Sequence, residues 1–132
     1  MPISFKEDLD AVDAALKVED TSSAISNTYS EVLYGALGLK TQAAKECLRV
    51  ALANIRLIDR KQLDYGPNNI AAAGAYGCAV RANDKTFRLL HLYSHGGRRP
   101  KARNENIIDS FRDFSNYGNI ALVVDLGRWP KD

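Results

Sequence analysis

Four charged side chains form a stripe within residues 80–90, VRANDKTFRLL. In a helix their spacing of i, i+3, i+4 and i+7 places them on one face, and they are Arg81, Asp84, Lys85 and Arg88. We call these four residues the charged stripe. The next residue on the same face is the apolar Leu92. A solvated face has no reason to continue into an apolar position, so the pattern predicts a face that looks into a polar pocket.

A second stripe, made of carboxylates, recurs every four residues near the C-terminus. It consists of Glu105, Asp109 and Asp113, which we call the acidic stripe. Three carboxylates one turn apart repel one another unless cations face them. The cations are either those of the charged stripe or Mg²⁺, which prefers oxygen ligands and accepts a substrate phosphate as a further ligand. We therefore predict that the two stripes meet at a shared cavity; a salt-bridge network without a ligand is the alternative.

The segment KQLDYGPNN supplies a third group of candidates at the end of a predicted helix. Tyr65 can stack on a nucleotide base, and Asp64 can accept hydrogen bonds from a base or a sugar hydroxyl. Together with Lys61, these residues are predicted to hold the sugar and base of a nucleotide. The alternatives are a core aromatic residue for Tyr65 and a turn-forming residue for Asp64.

Apolar periodicity predicts the helices that position these residues. Candidate capping residues are Thr21 or Ser22, Thr41 and Asn104, and Gly38 is a candidate stop signal. The predicted helices cover residues 4–18, about 22–38, 42–63, a stretch ending near residue 94, and 105–126. Residues 66–78 are rich in glycine and alanine, and they fit a loop, or a loop and a short helix. The sequence therefore predicts a single all-α domain over residues 1–132, with about five helices in a bundle.

Composition narrows the possible classes of protein. The 132 residues are 45% hydrophobic and 26% charged, which is typical of a globular domain. No apolar run approaches the roughly 18 residues of a membrane span, and the acidic N-terminus is unlike a signal peptide, so we expect a cytoplasmic protein. The net charge of +2 conceals a basic zone at residues 81–103, which favours an anionic partner such as phosphate. Nucleic-acid motifs are absent from the sequence, so a nucleic acid is not the expected partner.

Three sequence blocks, taken together, resemble a known family. They are KxxDYG at 61–66, GxxGxxxRxxDKxxRLxxL at 74–92 and ExxxDxxxDxxNY at 105–117. In this order they resemble the nucleotide modification associated domain, type 1, of phages and bacteria. The likeness covers roughly residues 55–125, which gives a family-like core at 41–127, whereas residues 1–40 match no pattern we know. The family is similar in outline to the all-α, MazG-like nucleoside triphosphate pyrophosphohydrolases, so the resemblance implies a MazG-like helical bundle that handles nucleotides.

Two functions are compatible with these residues. In the first, Asp109 and Asp113, with Glu105, hold Mg²⁺ and catalyse hydrolysis of a (deoxy)nucleoside triphosphate to monophosphate and pyrophosphate. Cations of the charged stripe neutralise the phosphates, while Asp84 orients Arg88. The chain departs from the MazG-like metal pattern, because helix 42–63 has no paired inward glutamates. The second function is therefore a nucleotide-binding protein that sequesters a host signalling nucleotide without turnover. For either function we expect a homo-oligomer that completes the cleft.

Overall fold

The computed structural model describes residues 4–17, 29–93 and 105–131. Within these ranges the chain forms five α-helices and no strand, which confirms the all-α prediction. The helices are α1 (Phe5–Leu16), α2 (Tyr29–Ala36), α3 (Gln42–Tyr65), α4 (Asn68–Leu92) and α5 (Glu105–Asp125). None of these described helices is both long enough and apolar enough to cross a membrane.

The chain divides into two compact units, Met1–Leu57 and Ile58–Asp132, which we call the N-terminal and C-terminal units. The boundary falls within α3, and each unit is described by itself. The prediction of a single domain, like that of a homo-oligomer, stays a prediction.

Local side-chain chemistry sets the helix ends that the sequence indicated. Thr41 caps α3, because its Oγ1 accepts a hydrogen bond from the Ala44 amide at 3.1 Å. Ser4 caps α1 in the same way, accepting from the Glu7 amide at 3.1 Å. Gly38 follows α2 with a positive φ of 67°, as predicted for a stop residue. The candidate caps Thr21, Ser22 and Asn104 lie outside the described residues.

The break between α3 and α4 is shorter than the sequence indicated. Gly66, with a φ of 68°, and Pro67 separate the two helices, and α4 begins at Asn68. Residues 66–78 are therefore almost entirely helical, in contrast to the expected loop, because alanine is the strongest helix former among the residues of this segment. The chain kinks at Gly74, whose φ of 65° and ψ of −163° are not helical. A short helical stretch thus precedes the kink. Of the two predicted alternatives for residues 66–78, a loop with a short helix is therefore closer to the structure than a loop alone.

Two ion pairs join α1 to α3 within the N-terminal unit. The Nε and Nη2 atoms of Arg49 donate to Oδ1 and Oδ2 of Asp13, both at 2.6 Å, in a bidentate pair. Arg56 Nε lies 3.1 Å from Oδ1 of Asp8, whose side chain is fully buried. The hydrogen bonds from Arg49 hold the pKa of the Asp13 carboxyl below its usual value. Pairing with arginine therefore stabilises both carboxylates on the side of α1 that faces α3.

The C-terminal unit is built on α4 packed against α5. Its buried apolar core consists of Ile70, Cys78 and Ile120. Trp129, the only tryptophan of the chain, packs against this core and donates a hydrogen bond from Nε1 to the Pro67 carbonyl oxygen at 3.0 Å. The segment after α5 is thereby tied to the start of α4.

The Thr41 cap gives a testable contribution to stability. Thr41→Ala removes the acceptor for the Ala44 amide, and we expect the free energy of unfolding to fall by about 1 kcal/mol. Thr41→Ser keeps the hydroxyl and should lose less than half as much. Urea denaturation followed by far-UV circular dichroism measures both values, and equal losses in the two variants would contradict the capping role.

The Asp13–Arg49 pair predicts a pH dependence. Because the pKa of Asp13 is lowered in the folded state, the pair stabilises the protein above the unfolded aspartate pKa of about 3.9, and this stabilisation is lost as the pH falls through the folded value. Asp13→Asn should therefore destabilise the protein at neutral pH, and its difference from wild type should vanish in strong acid. Asp10→Asn is the control, since the ion pair that the described residues give Asp10 is an exposed surface contact with Lys6, of small energy. A difference that stays constant with pH would refute this assignment.

Candidate functional site

A polar cavity of about 340 Å³ lies within the C-terminal unit, lined by the last turns of α3 and by residues of α4 and α5. This volume is at the small end of the roughly 300–1,000 Å³ that small-molecule sites occupy. Three cations and one carboxylate line it: Lys61, Arg81, Lys85 and Asp113. The cavity therefore brings two cations of the charged stripe together with one carboxylate of the acidic stripe.

An ion cluster centred on Asp113 connects three helices at the cavity wall. Lys61 Nζ of α3 lies 2.8 Å from Asp113 Oδ1, and Lys85 Nζ of α4 lies 3.2 Å from Asp113 Oδ2. The side chain of Asp113 is 15% exposed, that of Lys85 25% and that of Lys61 45%. The carboxylate is thus the most enclosed member, and the ammonium groups have the greater access to solvent.

The third cation, Arg81, lies one helical turn before Lys85 on α4 and is half-buried at the cavity. Within the described part of the chain its guanidinium makes no ion pair. Together the four charged groups give the lining a formal net charge of +2. A guanidinium presents a planar set of N–H donors that matches the oxygens of a phosphate or a carboxylate.

Aromatic and amide side chains supply the uncharged part of the lining. Tyr65 is 72% exposed at the end of α3, whereas Tyr117 of α5 is half-buried. Asn116 is buried on α5, and Gln62 lies on α3 beside Lys61. Isoleucines of the core complete the wall. The cavity therefore offers a ring-stacking surface and amide donors and acceptors next to the cations.

The structure separates the predicted site residues into two sets. Five of them line the cavity: Lys61, Tyr65, Arg81, Lys85 and Asp113. Four others are exposed and are not part of its lining: Asp64, Asp84, Arg88 and Asp109. The side chain of Glu105 is not among those described.

Helix geometry explains why the second set lies outside the cavity. Arg88 shares the face of Arg81 but lies two turns further along α4, about 10 Å away, beyond the end of the cavity. Asp84 is rotated away from Lys85, and no ion pair joins it to Arg88 in the described ranges. Lys61, which we predicted to hold the sugar or base, lies instead with the other cations.

Four polar side chains that line the cavity were assigned no role from the sequence, among them Asn116 and Tyr117 of α5. Both follow Asp113 at i+3 and i+4, so they share its helix face, and this spacing was the available signal.

The donor set does not fit the predicted Mg²⁺ site. Of the two acidic-stripe side chains that the structure describes, only Asp113 lines the cavity, and both of its oxygens already face lysine ammonium groups. No group of three or more His, Cys, Asp or Glu side chains that could hold a metal occurs in residues 4–17, 29–93 and 105–131. The ammonium groups occupy the positions next to the carboxylate that a cation would need, so Asp109 and Asp113 do not form a paired metal site in this arrangement.

Comparison of the chain with protein-family models, with curated proteins and with solved structures finds no match. The resemblance to the nucleotide modification associated domain stays a prediction.

Removal of the Asp113 charge tests the ion cluster. Asp113→Asn leaves two ammonium groups close together without their counter-charge, and we expect a loss of about 1–2 kcal/mol, between the values typical of surface and buried pairs. Added sulfate should recover part of the loss, because an anion can replace the carboxylate. Thermal unfolding at low ionic strength, with and without sulfate, measures the effect. Asp125→Asn, at the exposed end of α5, is the control, and equal behaviour of the two variants would rule out the proposed bridging role.

Proposed function

We propose that the cavity of the C-terminal unit binds a small nucleotide and does not convert it. The observation that carries the proposal is that, among the described residues, three cations and one carboxylate line the same cavity. A surplus of positive charge within a cavity attracts an anionic ligand, because the low-dielectric walls concentrate the field. Of the two functions considered from the sequence, this is nucleotide binding without turnover.

The phosphate subsite consists of Lys61, Arg81 and Lys85. Each ammonium group has three N–H donors and uses one of them on Asp113, so donors remain for a ligand. Arg81 lies one turn from Lys85 on the same face of α4, and its guanidinium can bind two phosphate oxygens at once. Two helices hold these three groups at one cavity, so a phosphate site would be largely preformed.

The base subsite lies on the tyrosine side of the cavity. Tyr65 presents an exposed ring at the end of α3, and Tyr117 of α5 also lines the cavity. Stacking of a base on an aromatic ring is worth about 1–3 kcal/mol, whichever base it is. The amide of Gln62, which also lines the cavity, can donate to and accept from the edge of a base. A compound with both a phosphate and a planar base therefore matches the cations and the aromatic side chains of the lining.

Hydrolysis is supported less well than binding. Metal-assisted attack on a phosphate needs carboxylates that hold the metal and a base or metal that activates a water. Among the described residues, the carboxylate that lines the cavity is Asp113, which is engaged by two ammonium groups, and Asp109 is exposed outside the cavity. Binding requires only the groups that are already convergent.

Titration calorimetry with ribonucleotides and deoxyribonucleotides tests the proposal. At least one nucleotide should bind, with an affinity that is unchanged when EDTA replaces Mg²⁺. Arg81→Ala should weaken binding about tenfold or more, because a hydrogen bond to a charged group contributes about 1.5–3 kcal/mol. Arg128→Ala removes an exposed cation of the same unit outside the cavity and should leave the affinity unchanged.

Chromatography of the incubated nucleotides distinguishes binding from turnover. We expect every nucleotide to be recovered intact, with or without Mg²⁺. Release of pyrophosphate that depends on Mg²⁺ would instead support the pyrophosphohydrolase. A protein that binds none of the nucleotides would contradict both functions.

A further inference from the structure

The charges and dimensions of the cavity specify which phosphate group it accepts, provided that it binds nucleotides as proposed above. Three cations face the ligand and one carboxylate opposes it, for a net charge of +2. A phosphomonoester carries a charge of about −1.5 to −2 near neutral pH and has three terminal oxygens. The net charge of the lining thus matches the charge of one phosphomonoester, and its three cations match the three terminal oxygens.

Neighbouring classes of ligand match less well. A phosphodiester, as in a cyclic nucleotide, has a single negative charge and only two non-bridging oxygens, so one cation of the cluster is left without a partner. A diphosphate or triphosphate can place its terminal phosphate among the same cations, but its other phosphates need further counter-charges. The described residues that line the cavity include no fourth cation.

Asp113 adds a repulsive contribution to this selection. Its carboxylate lies between Lys61 and Lys85 at the wall of the cavity and is more enclosed than either. Any additional phosphate that enters the cavity approaches this negative charge in a partly enclosed space, where electrostatic repulsion is stronger than in bulk water. Discrimination between ligands often depends on such an unfavourable contact with the wrong one.

The spacing of the two subsites supports a short ligand. Lys61 and Tyr65 are four residues apart on α3, so their backbone positions differ by about 6 Å along the helix axis. One sugar spans a separation of this size between a phosphate and a base. A ligand whose phosphate occupied the cations and whose base stacked on Tyr65 therefore needs only a short connection between the two groups.

We infer that the cavity selects a nucleoside monophosphate, a nucleotide that ends in a single phosphomonoester, over the corresponding triphosphate and cyclic phosphodiester. Selection results from the match of three cations to three phosphate oxygens and from the Asp113 carboxylate, which opposes additional negative charge.

Calorimetric ranking of ligands on the full chain, in EDTA, tests the inference. The probes are the common nucleosides and their 5′-mono-, di- and triphosphates and 3′,5′-cyclic monophosphates. For the base that binds best, we expect the monophosphate to bind about tenfold more tightly than the triphosphate and the cyclic form. A triphosphate or cyclic form that binds as tightly as the monophosphate would overturn the inference while leaving nucleotide binding intact. Absence of binding by every probe would instead refute the proposed function, and with it this inference.

Asp113→Asn tests whether the preference for the monophosphate depends on the charge of the carboxylate or only on the size of the ligand. The variant raises the formal charge of the lining to +3, so the preference for the monophosphate over the triphosphate should shrink several-fold. Asp125→Asn makes the same chemical change at an exposed position of α5 and should leave the preference unaltered. An unaltered preference in Asp113→Asn would refute the role of the carboxylate. If circular dichroism shows that this variant does not fold, the ranking of the wild-type protein decides the inference.

Discussion

The carboxylate of Asp113, held between the ammonium groups of Lys61 and Lys85, is the interaction on which the candidate site depends. Burial of a charge is unfavourable unless opposite charges and hydrogen bonds compensate it, and here one carboxylate receives compensation from two other helices. Because the two lysines retain greater exposure than Asp113, the cluster has a closed side and an open side. All three members of the cluster line the cavity, and the cationic members are the more exposed ones.

The backbone around Pro67 makes this convergence possible. Gly66, in a positive-φ conformation, ends α3 one turn after Lys61, and α4 begins immediately after Pro67. The hydrogen bond from Trp129 to the Pro67 carbonyl, together with the core around Ile70, ties the segment after α5 to the same turn. The short turn and this hydrogen bond therefore position Lys61 relative to α4 and α5, which carry the other charged groups.

The sequence predicted the helices and part of the site, for different physical reasons. Apolar periodicity and the Thr41 cap are local signals, so α3 was predicted to within two residues. Spacing along a helix gives the angle at which a side chain projects but not how far a cavity extends. Arg81 and Arg88 are therefore equivalent by spacing, although only Arg81 lines the cavity. Residues 66–78 illustrate a further limit, because their glycines suggested a loop while their alanines favoured the observed helix.

A salt-bridge network without a ligand was the alternative explanation of the two stripes. The structure contains ion pairs of this kind, but their charges are not balanced. Lysines of two helices do pair with Asp113. A self-sufficient network, however, would balance its charges, since every unmatched buried charge is unfavourable. Here, among the described residues, two lysines share one carboxylate at a cavity that Arg81 also lines, and Asp109, which could have supplied a second carboxylate, is exposed outside it. The unbalanced charge is concentrated where a small molecule has room to enter, and this combination of surplus and space favours a ligand over a purely structural network.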